Sequence, residues 1–346
     1  MAASNTKKIN LAFQGGGAHG AVSWGVAERL LEDDRLKVEA ISGSSAGAVN
    51  AAALAYGLHK NGAVGARDAL EELWRAISDA GRYYSPVAGS PFPMTFATDA
   101  INKFSYQMFD VVTRAFSPYQ FNPFNINPLR DILEDCIDFE SLRKCQVTKL
   151  FTSATNVRTG KVKVFETNEI SSDVVCASTC LPFLFKAVEI GGEAYWDGGY
   201  MGNPVLFPFF YNAESSDIVI VHVNPLDRDD VPTSASGIMN RINEISFNSS
   251  LLRELRAISF VHKLLDDGWL KEEYHDRLRD VRIHSIRSDE ALVDYDISSK
   301  FRTDWGFLTE LREKGHAIAD AWLSENFDDI GERSSVNLRE MFDGDV

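Results

Sequence analysis

Basic charge is what this sequence has too little of. It sets 35 Lys and Arg against 50 Asp and Glu, for a formal net charge of −15. A nucleic-acid binder needs a basic face to neutralise phosphates, so that partner class is excluded. Recruitment of a polybasic segment to an anionic membrane is excluded with it. Any peripheral membrane contact therefore has to rest on apolar surface. Cysteine is scarce too. Cys136, Cys145, Cys176 and Cys180 show no CxxC spacing and have no pair of His beside them in ligand register, so no metal site is indicated. Cys176 and Cys180 stand four apart in an apolar stretch, which reads as a helix face and not as a disulfide framework. No apolar run reaches the roughly 18 residues that a membrane span needs. Met1 to Lys8 leads directly into a strand pattern and lacks the apolar centre of a signal peptide. The expectation is a soluble, reduced, cytoplasmic protein, with export by a route that uses no cleaved signal left open. Internal repeats and low-complexity tracts are absent.

What is present is ordinary globular material: 346 residues, 45% hydrophobic and 25% charged, enough for a large core. The first hundred residues alternate strand and helix signals, which favours a parallel sheet covered by helices on both faces. Ile9 to Phe13 and Val38 to Ser42 read as short buried strands, each followed by glycines and then a helix, Ala21 to Glu32 and Ala46 to Tyr56. Residues 83–128 interleave prolines with Phe92, Phe96, Phe104, Phe109, Phe116, Phe121 and Phe124. That is too broken for a core strand and too aromatic for a solvated linker. Two readings stay open, an irregular excursion packed on the body by its Phe residues and a cap or acyl-chain groove. Strand signals resume as hairpins at Leu150 to Asn156 with Val162 to Phe165, and at Val188 to Ile190 with Ala194 to Trp196. Ile218 to Val223 is a further buried strand. Beyond Pro225 the pattern is mainly helical, with a possible interruption at Asn248-Ser249-Ser250, a late strand at Val281 to Ile286 and a last amphipathic helix from Trp305 to Trp322. The tail from Gly331 is polar and expected to be loosely held. The domain expectation is a catalytic α/β core over 1–225 and a mainly helical extension over 226–346 packed on it.

Three clusters carry chemistry. Gly43-Ser44-Ser45-Ala46-Gly47 fits G-x-S-x-G where a strand hands over to a helix. A serine on so sharp a turn needs neighbours without bulk, and the helix N-terminus behind it favours a developing negative charge. Taken alone the pattern also fits a small-residue packing turn. Gly15-Gly16-Gly17-Ala18-His19-Gly20 follows the first strand and opens the first helix. Its amides can converge on an anion, either a tetrahedral oxyanion or, since Gly15, Gly17 and Gly20 satisfy G-x-G-x-x-G, a dinucleotide pyrophosphate. The dinucleotide reading wants an acidic residue at the end of the second strand. Glu39 has roughly the spacing but stands at the strand's start, and the strand's end is taken by the serine turn. Asp197-Gly198-Gly199 follows a hairpin strand. By itself it is a commonplace turn, but a serine needs a base, and the flanking glycines allow close approach. Histidine is the usual base. His222 lies in a buried strand pattern and reads as a core residue, while His19 sits in the glycine loop within reach of a substrate. His59, His262, His275, His284 and His316 carry no motif.

In this order, a glycine-rich first loop, an early G-x-S-x-G and a late D-G-G, the sequence resembles the patatin-like phospholipases, in motif over residues 9–47 and 150–204. The resemblance implies a three-layer α/β/α fold with a mainly parallel central sheet, here carrying additional C-terminal helices. It implies a Ser–Asp dyad that works without histidine, at Ser45 and Asp197, with Gly15, Gly16 and Gly17 as the oxyanion hole and no metal or organic cofactor. The implied substrate is a fatty acyl ester of a phospholipid, lysophospholipid or glyceride. An acyltransferase, an intracellular polyester depolymerase on the same dyad, and a non-enzymatic nucleotide-binding module on the Gly15 to Gly20 loop are the alternatives. One departure is His19, where many members carry Arg or Lys. α/β-Hydrolases of the common type fit less well, because they place far more chain before the serine and use a histidine after the acid.

Overall fold

The computed structural model describes residues 6–84, 116–271, 274, 277–295 and 297–343. Its frame is one eight-stranded sheet with the strand order β5-β6-β3-β2-β1-β7-β8, and β4 paired to the far side of β3. The strands are β1 Lys7–Phe13, β2 Leu36–Gly43, β3 Lys149–Asn156, β4 Val162–Glu166, β5 Val188–Ile190, β6 Glu193–Asp197, β7 Asp217–Val221 and β8 Arg282–Ile286. β3, β2, β1, β7 and β8 run parallel, while β4, β5 and β6 form the antiparallel end. The helices are α1 Gly20–Leu31, α2 Ala46–Tyr84, α3 Pro118–Phe121, α4 Pro128–Cys136, α5 Phe139–Leu142, α6 Ser172–Ser178, α7 Phe207–Asn212, α8 Ala235–Asp266, α9 Trp305–Asn326 and α10 Leu338–Asp343.

The layers follow from the two-residue period of the strands. In β1, Ile9, Leu11 and Phe13 face a core shared with α1, α2 and α9, whereas Ala12 faces the opposite one. In β7, Val219 and Val221 take the first face, and Ile218 and Ile220 meet Leu251, Leu255 and Ile258 of α8 on the second. A sheet that is apolar on both faces must be covered on both, and the result is α/β/α. The chain winds from β1 out to β2 and β3 and later returns to the other side of β1 with β7. The crevice where strand order reverses therefore opens at the C-terminal ends of β1 and β7, the usual place for a ligand in such sheets.

Several sequence expectations need correction. The helix expected to stop at Tyr56 runs about one turn further, and non-helical Asn61 and Gly62 (φ −154° and +59°) separate it from a second helix that ends at Tyr84, the two together making up α2. The second helix buries Ala66, Leu70, Leu73 and Trp74 in the same core as the first, and Gly57 lies against Gly65 and Ala66, so the turn-forming pair folds the chain back on itself. Asn248-Ser249-Ser250 does not interrupt α8. Asn248 Nδ2 donates to the carbonyls of Asn224 and Pro225, and Ser249 Oγ to that of Ser246; the polar run finds partners instead of breaking the helix. Nor is the tail loose as far as residue 343. Ser335 N donates to the Ile283 carbonyl, Ser334 Oγ accepts from Ile283 N, and Leu338 is buried beside α8. Residues 85–115, most of the Pro/Phe excursion, lie outside the described residues. In the part that follows, Phe116, Phe121 and Phe124 are exposed, Phe124 at 86%, so these three rings are not buried in the body. Among the described residues no helix is long and apolar enough to cross a membrane.

One half-buried acid joins two elements. The Glu254 carboxylate on α8 accepts the amides of Leu206 and Phe207 at 2.9 Å, capping the start of α7. Burial raises its pKa to about 7, against the pull of those two bonds. A carboxyl raised on folding contributes stability that is complete below its unfolded pKa of about 4.3 and lost as pH rises through the folded value. Glu254→Gln should therefore gain stability relative to wild type between pH 5 and pH 8, by on the order of 1–3 kcal/mol. A difference in melting temperature that is flat across this range would refute the assignment.

Candidate active site

β2 ends at Gly43, and the turn into α2 puts Ser45 at φ +54°, a left-handed conformation that non-glycine residues adopt only when the surroundings enforce it. The surroundings do. A Cβ on Gly43 would overlap the Gly47 carbonyl, and one on Gly47 would overlap the Phe13 carbonyl, so the turn closes against its own helix and against β1. Ser44 points inward, with its Oγ 2.5 Å from Ser153 Oγ and bonded to the Gly202 carbonyl. The Ser45 amide donates to Ser178 Oγ at 2.9 Å, at the end of α6.

Asp197 meets this turn because of β3. Gly43, the last residue of β2, pairs with Thr152, and Asp197, the last residue of β6, pairs with Ala154. β2 runs parallel and β6 antiparallel along the same edge of β3, so both strands end at Ser153 from opposite directions. Ser45 Oγ there donates to Asp197 Oδ2 at 2.7 Å. The other carboxylate oxygen accepts the Gly199 amide at 2.7 Å. The Asp197 amide is tied to the Cys180 carbonyl, and its carbonyl accepts from Thr155 Oγ1, both at 2.8 Å. The residue has no solvent exposure. Burial raises its pKa to about 7, with the bonds from Ser45 and Gly199 pulling the other way. A solvated aspartate is a weak acceptor for a serine proton, and desolvation moves this carboxylate toward the range in which general bases work.

The glycine loop lies in the crevice between β1 and β7. Gly17 has φ +60°, and a Cβ there would run into the Lys300 carbonyl. Gly15 packs against Ser45, its amide donates to Asn203 Oδ1 at 2.6 Å, and its carbonyl accepts Asn224 Nδ2 at 2.7 Å. Of the three loop glycines, Gly15 thus has its amide committed to protein. His19 is buried, with Nε2 2.7 Å from Ser299 Oγ, and burial, then the Lys300 charge, lower its pKa to about 3. It is a neutral packing residue here, held by Ser299 and not turned out toward a substrate. His222 lies one residue beyond β7, fully desolvated, its pKa lowered by burial to about 4 and its Nε2 3.2 Å from Ser285 Oγ. Glu39, the acid a dinucleotide site would need, accepts the amides of Glu214 and Ser215 just ahead of β7, at the opposite end of the sheet from the loop. Among the described residues no three His, Cys, Asp or Glu gather to hold a metal ion.

Sequence reasoning missed the residues that hold these groups. Ser178, Ser153, Asn203 and Asn224 each bond to the elbow or the loop from more than one hundred positions away in sequence. Their only signal is a small polar residue inside an apolar stretch, as Ser178 after Val174-Val175-Cys176-Ala177.

A serine hydroxyl on a strained strand-to-helix turn, bonded to a desolvated carboxylate and flanked by a glycine loop, is an arrangement suited to acyl transfer. Comparison with known proteins agrees with that class. The family model for patatin-like phospholipase matches residues 11–210, a span that takes in the glycine loop, Ser45 and Asp197. The chain belongs to the patatin-like phospholipase family. The crystal structure of VipD from Legionella pneumophila is similar to it at 15% sequence identity and a TM-score of 0.45, over 92% of this chain and 67% of that one. No curated protein matches the sequence significantly.

Proposed function

We propose that the protein is a serine lipid acyl hydrolase in which Ser45 is the nucleophile, Asp197 its base, and the loop Gly15, Gly16 and Gly17 the oxyanion hole. The observation that carries this reading is the 2.7 Å bond from Ser45 Oγ to a fully buried carboxylate whose pKa is about 7. In the first step Ser45 Oγ bonds to the ester carbonyl carbon and its proton passes to Asp197 Oδ2. The carbonyl oxygen takes the negative charge and is met by loop amides; with the Gly15 amide held by Asn203, Gly16 and Gly17 supply them. Collapse breaks the ester C–O bond, and the alcohol leaves with the proton from Asp197. Water then attacks the acyl-serine and gives a proton to Asp197; the C–O bond to Ser45 breaks, Ser45 Oγ takes that proton back, and the acid is released.

The substrate class rests on the family and on apolar surface. Tyr200 and Met201, which follow Asp197 closely, are partly exposed, and α8 presents Ile238, Met239, Ile242 and Ile245 outward at helical spacing. With a net charge of −15 these residues, and not a basic patch, would meet a lipid. The 83–128 segment, as cap or acyl groove, belongs to the same proposal. So does the division into a core over 1–225 and an extension over 226–346.

The test is hydrolysis of chromogenic fatty esters and a lipid panel by the purified chain, followed against pH. Because the base must be ionised to accept a proton, kcat/KM should climb about tenfold per pH unit below about 7 and level off above it. Analysis of the products with an added alcohol acceptor separates hydrolysis from acyl transfer. No turnover of any ester, or a limb centred near the ordinary aspartate range, would count against the dyad.

A further inference from the structure

We infer that Lys300 is a positioning residue for the glycine loop: it fixes the Asn224 carboxamide, which holds the Gly15 carbonyl and so aims the Gly16 amide. The inference rests on the acyl-transfer reading above and names a residue far outside the family-matched span of 11–210.

A trans peptide is planar, so its carbonyl oxygen and its amide hydrogen point in opposite directions. The Gly15 carbonyl and the Gly16 N–H belong to one such unit. Whatever grips that carbonyl therefore sets where the Gly16 amide points. The grip is Asn224 Nδ2 at 2.7 Å, with Asn203 Nδ2 farther off at 3.5 Å.

A carboxamide can rotate by half a turn and exchange its donor for its acceptor. Turned that way, Asn224 would set its oxygen against the Gly15 carbonyl and push the peptide away. Lys300 decides the orientation. Its ammonium has only donors to offer, and it stands 2.9 Å from Asn224 Oδ1 and 3.3 Å from Asn243 Oδ1. The oxygen of Asn224 must face the lysine, which leaves the nitrogen facing the loop. Gln14 Oε1, itself fixed by the amides of Val223 and Asn224 at 3.0 Å, adds a longer contact of 3.4 Å to the same nitrogen.

Lys300 touches the loop a second time. It sits on the short turn Ile297–Phe301, and its carbonyl occupies the space a Cβ on Gly17 would need. Although partly exposed along its length, the side chain is desolvated enough that its pKa falls to about 8, with Glu244 opposing and Arg228 adding to the fall. An ammonium so placed is costly unless its partners are fixed, and both acceptors here are side-chain amides on other elements.

The experiment uses the full chain, a short soluble chromogenic ester and a fluorophosphonate probe. Removal of a whole oxyanion donor lowers turnover by about 10²–10³, so Lys300→Met, which only frees the donor to swing, should lower kcat by about 10–100-fold with KM little changed. Asn224→Asp keeps an acceptor for Lys300 but cannot donate to Gly15, and should show a similar loss in a folded protein. The double variant should fall no further than the weaker single one, because both changes cut one chain of contacts. Fluorophosphonate labelling of Ser45 should slow in parallel. A folded Lys300→Met with wild-type kcat, even at a lowered melting temperature, overturns the inference, as do losses that multiply. If Lys300→Met does not fold, Asn224→Asp decides alone, and normal turnover there overturns the inference. Ser45→Ala run alongside separates the two levels. Activity that survives it brings down the acyl-transfer reading and this inference together, whereas a dead Ser45→Ala beside a fully active Lys300→Met brings down this inference only.

Discussion

Ser45→Ala is expected to abolish ester hydrolysis, by about 10⁴-fold or more, while the folded chain keeps its far-ultraviolet spectrum and much of its melting temperature. The oxygen that is removed makes one side-chain bond, to Asp197, and the elbow is held by groups that the change leaves alone. Those are the Ser44 bonds to Ser153 and Gly202, the Ser45 amide bond to Ser178, and the close approach of Gly43 and Gly47 to their neighbours. Alanine has to accept the same left-handed backbone at φ +54°, so no strain is relieved and none is added. A fluorophosphonate should label wild type and not the variant. Ready labelling of Ser45→Ala, or residual hydrolysis near the wild-type rate, would end the nucleophile assignment.

Asp197→Asn should lose activity by about 10³–10⁴-fold, because an amide cannot take the serine proton. The same change is expected to stabilise the protein at alkaline pH, and that combination distinguishes a base from a structural aspartate. The carboxyl is raised by burial from 3.8 to about 7. The protonated form is thus favoured by folding, and its contribution is complete below about pH 3.8 and gone above about pH 7. At pH 8 the wild type holds a desolvated negative charge that asparagine lacks, so the variant's advantage should grow by on the order of 1–4 kcal/mol between acid and alkaline pH. His222→Gln is the companion variant. That ring is neutral and fully buried beside Ser285, so the substitution should cost stability and leave turnover of the folded fraction near normal. A folded, inactive His222→Gln would point to a histidine in the chemistry, and an Asp197→Asn that is both active and less stable would return Asp197 to the status of a turn residue.

The parts of this molecule that repeat a local period could be read from the residues. β1 and β2 alternate or run apolar between glycine clusters, and each hands over to a helix with the small residues that a tight crossover demands, so sheet, helices and the position of Ser45 on a turn were all legible. The hairpins at Thr159-Gly160 and Gly191-Gly192 were legible for the same reason, since their glycines take positive φ. What could not be read depended on distant partners. Nothing local says that a second helix beyond Asn61-Gly62 packs back on the first, or that Asn248 finds two carbonyls to bond. The burial of Asp197 was equally invisible, because the turn itself is of the kind that usually faces water. It is desolvated by Gly199, Cys180, Thr155 and the elbow, which the sheet brings together from four stretches of chain.

The way β2 and β6 share one edge of β3 has a bearing on how such a protein can vary. The distance from Ser45 to Asp197 is set across the single residue Ser153, as if two rails had been bolted to one sleeper. Of the intervening chain, Ser178 and Cys180 brace the two residues from one side, and long stretches elsewhere do not touch them. The segment between α2 and β3 is free to be lengthened, shortened or exchanged as long as its ends return to the same strands. Selection on what the protein binds can then proceed in the intervening chain while the pair at the joint stays in register.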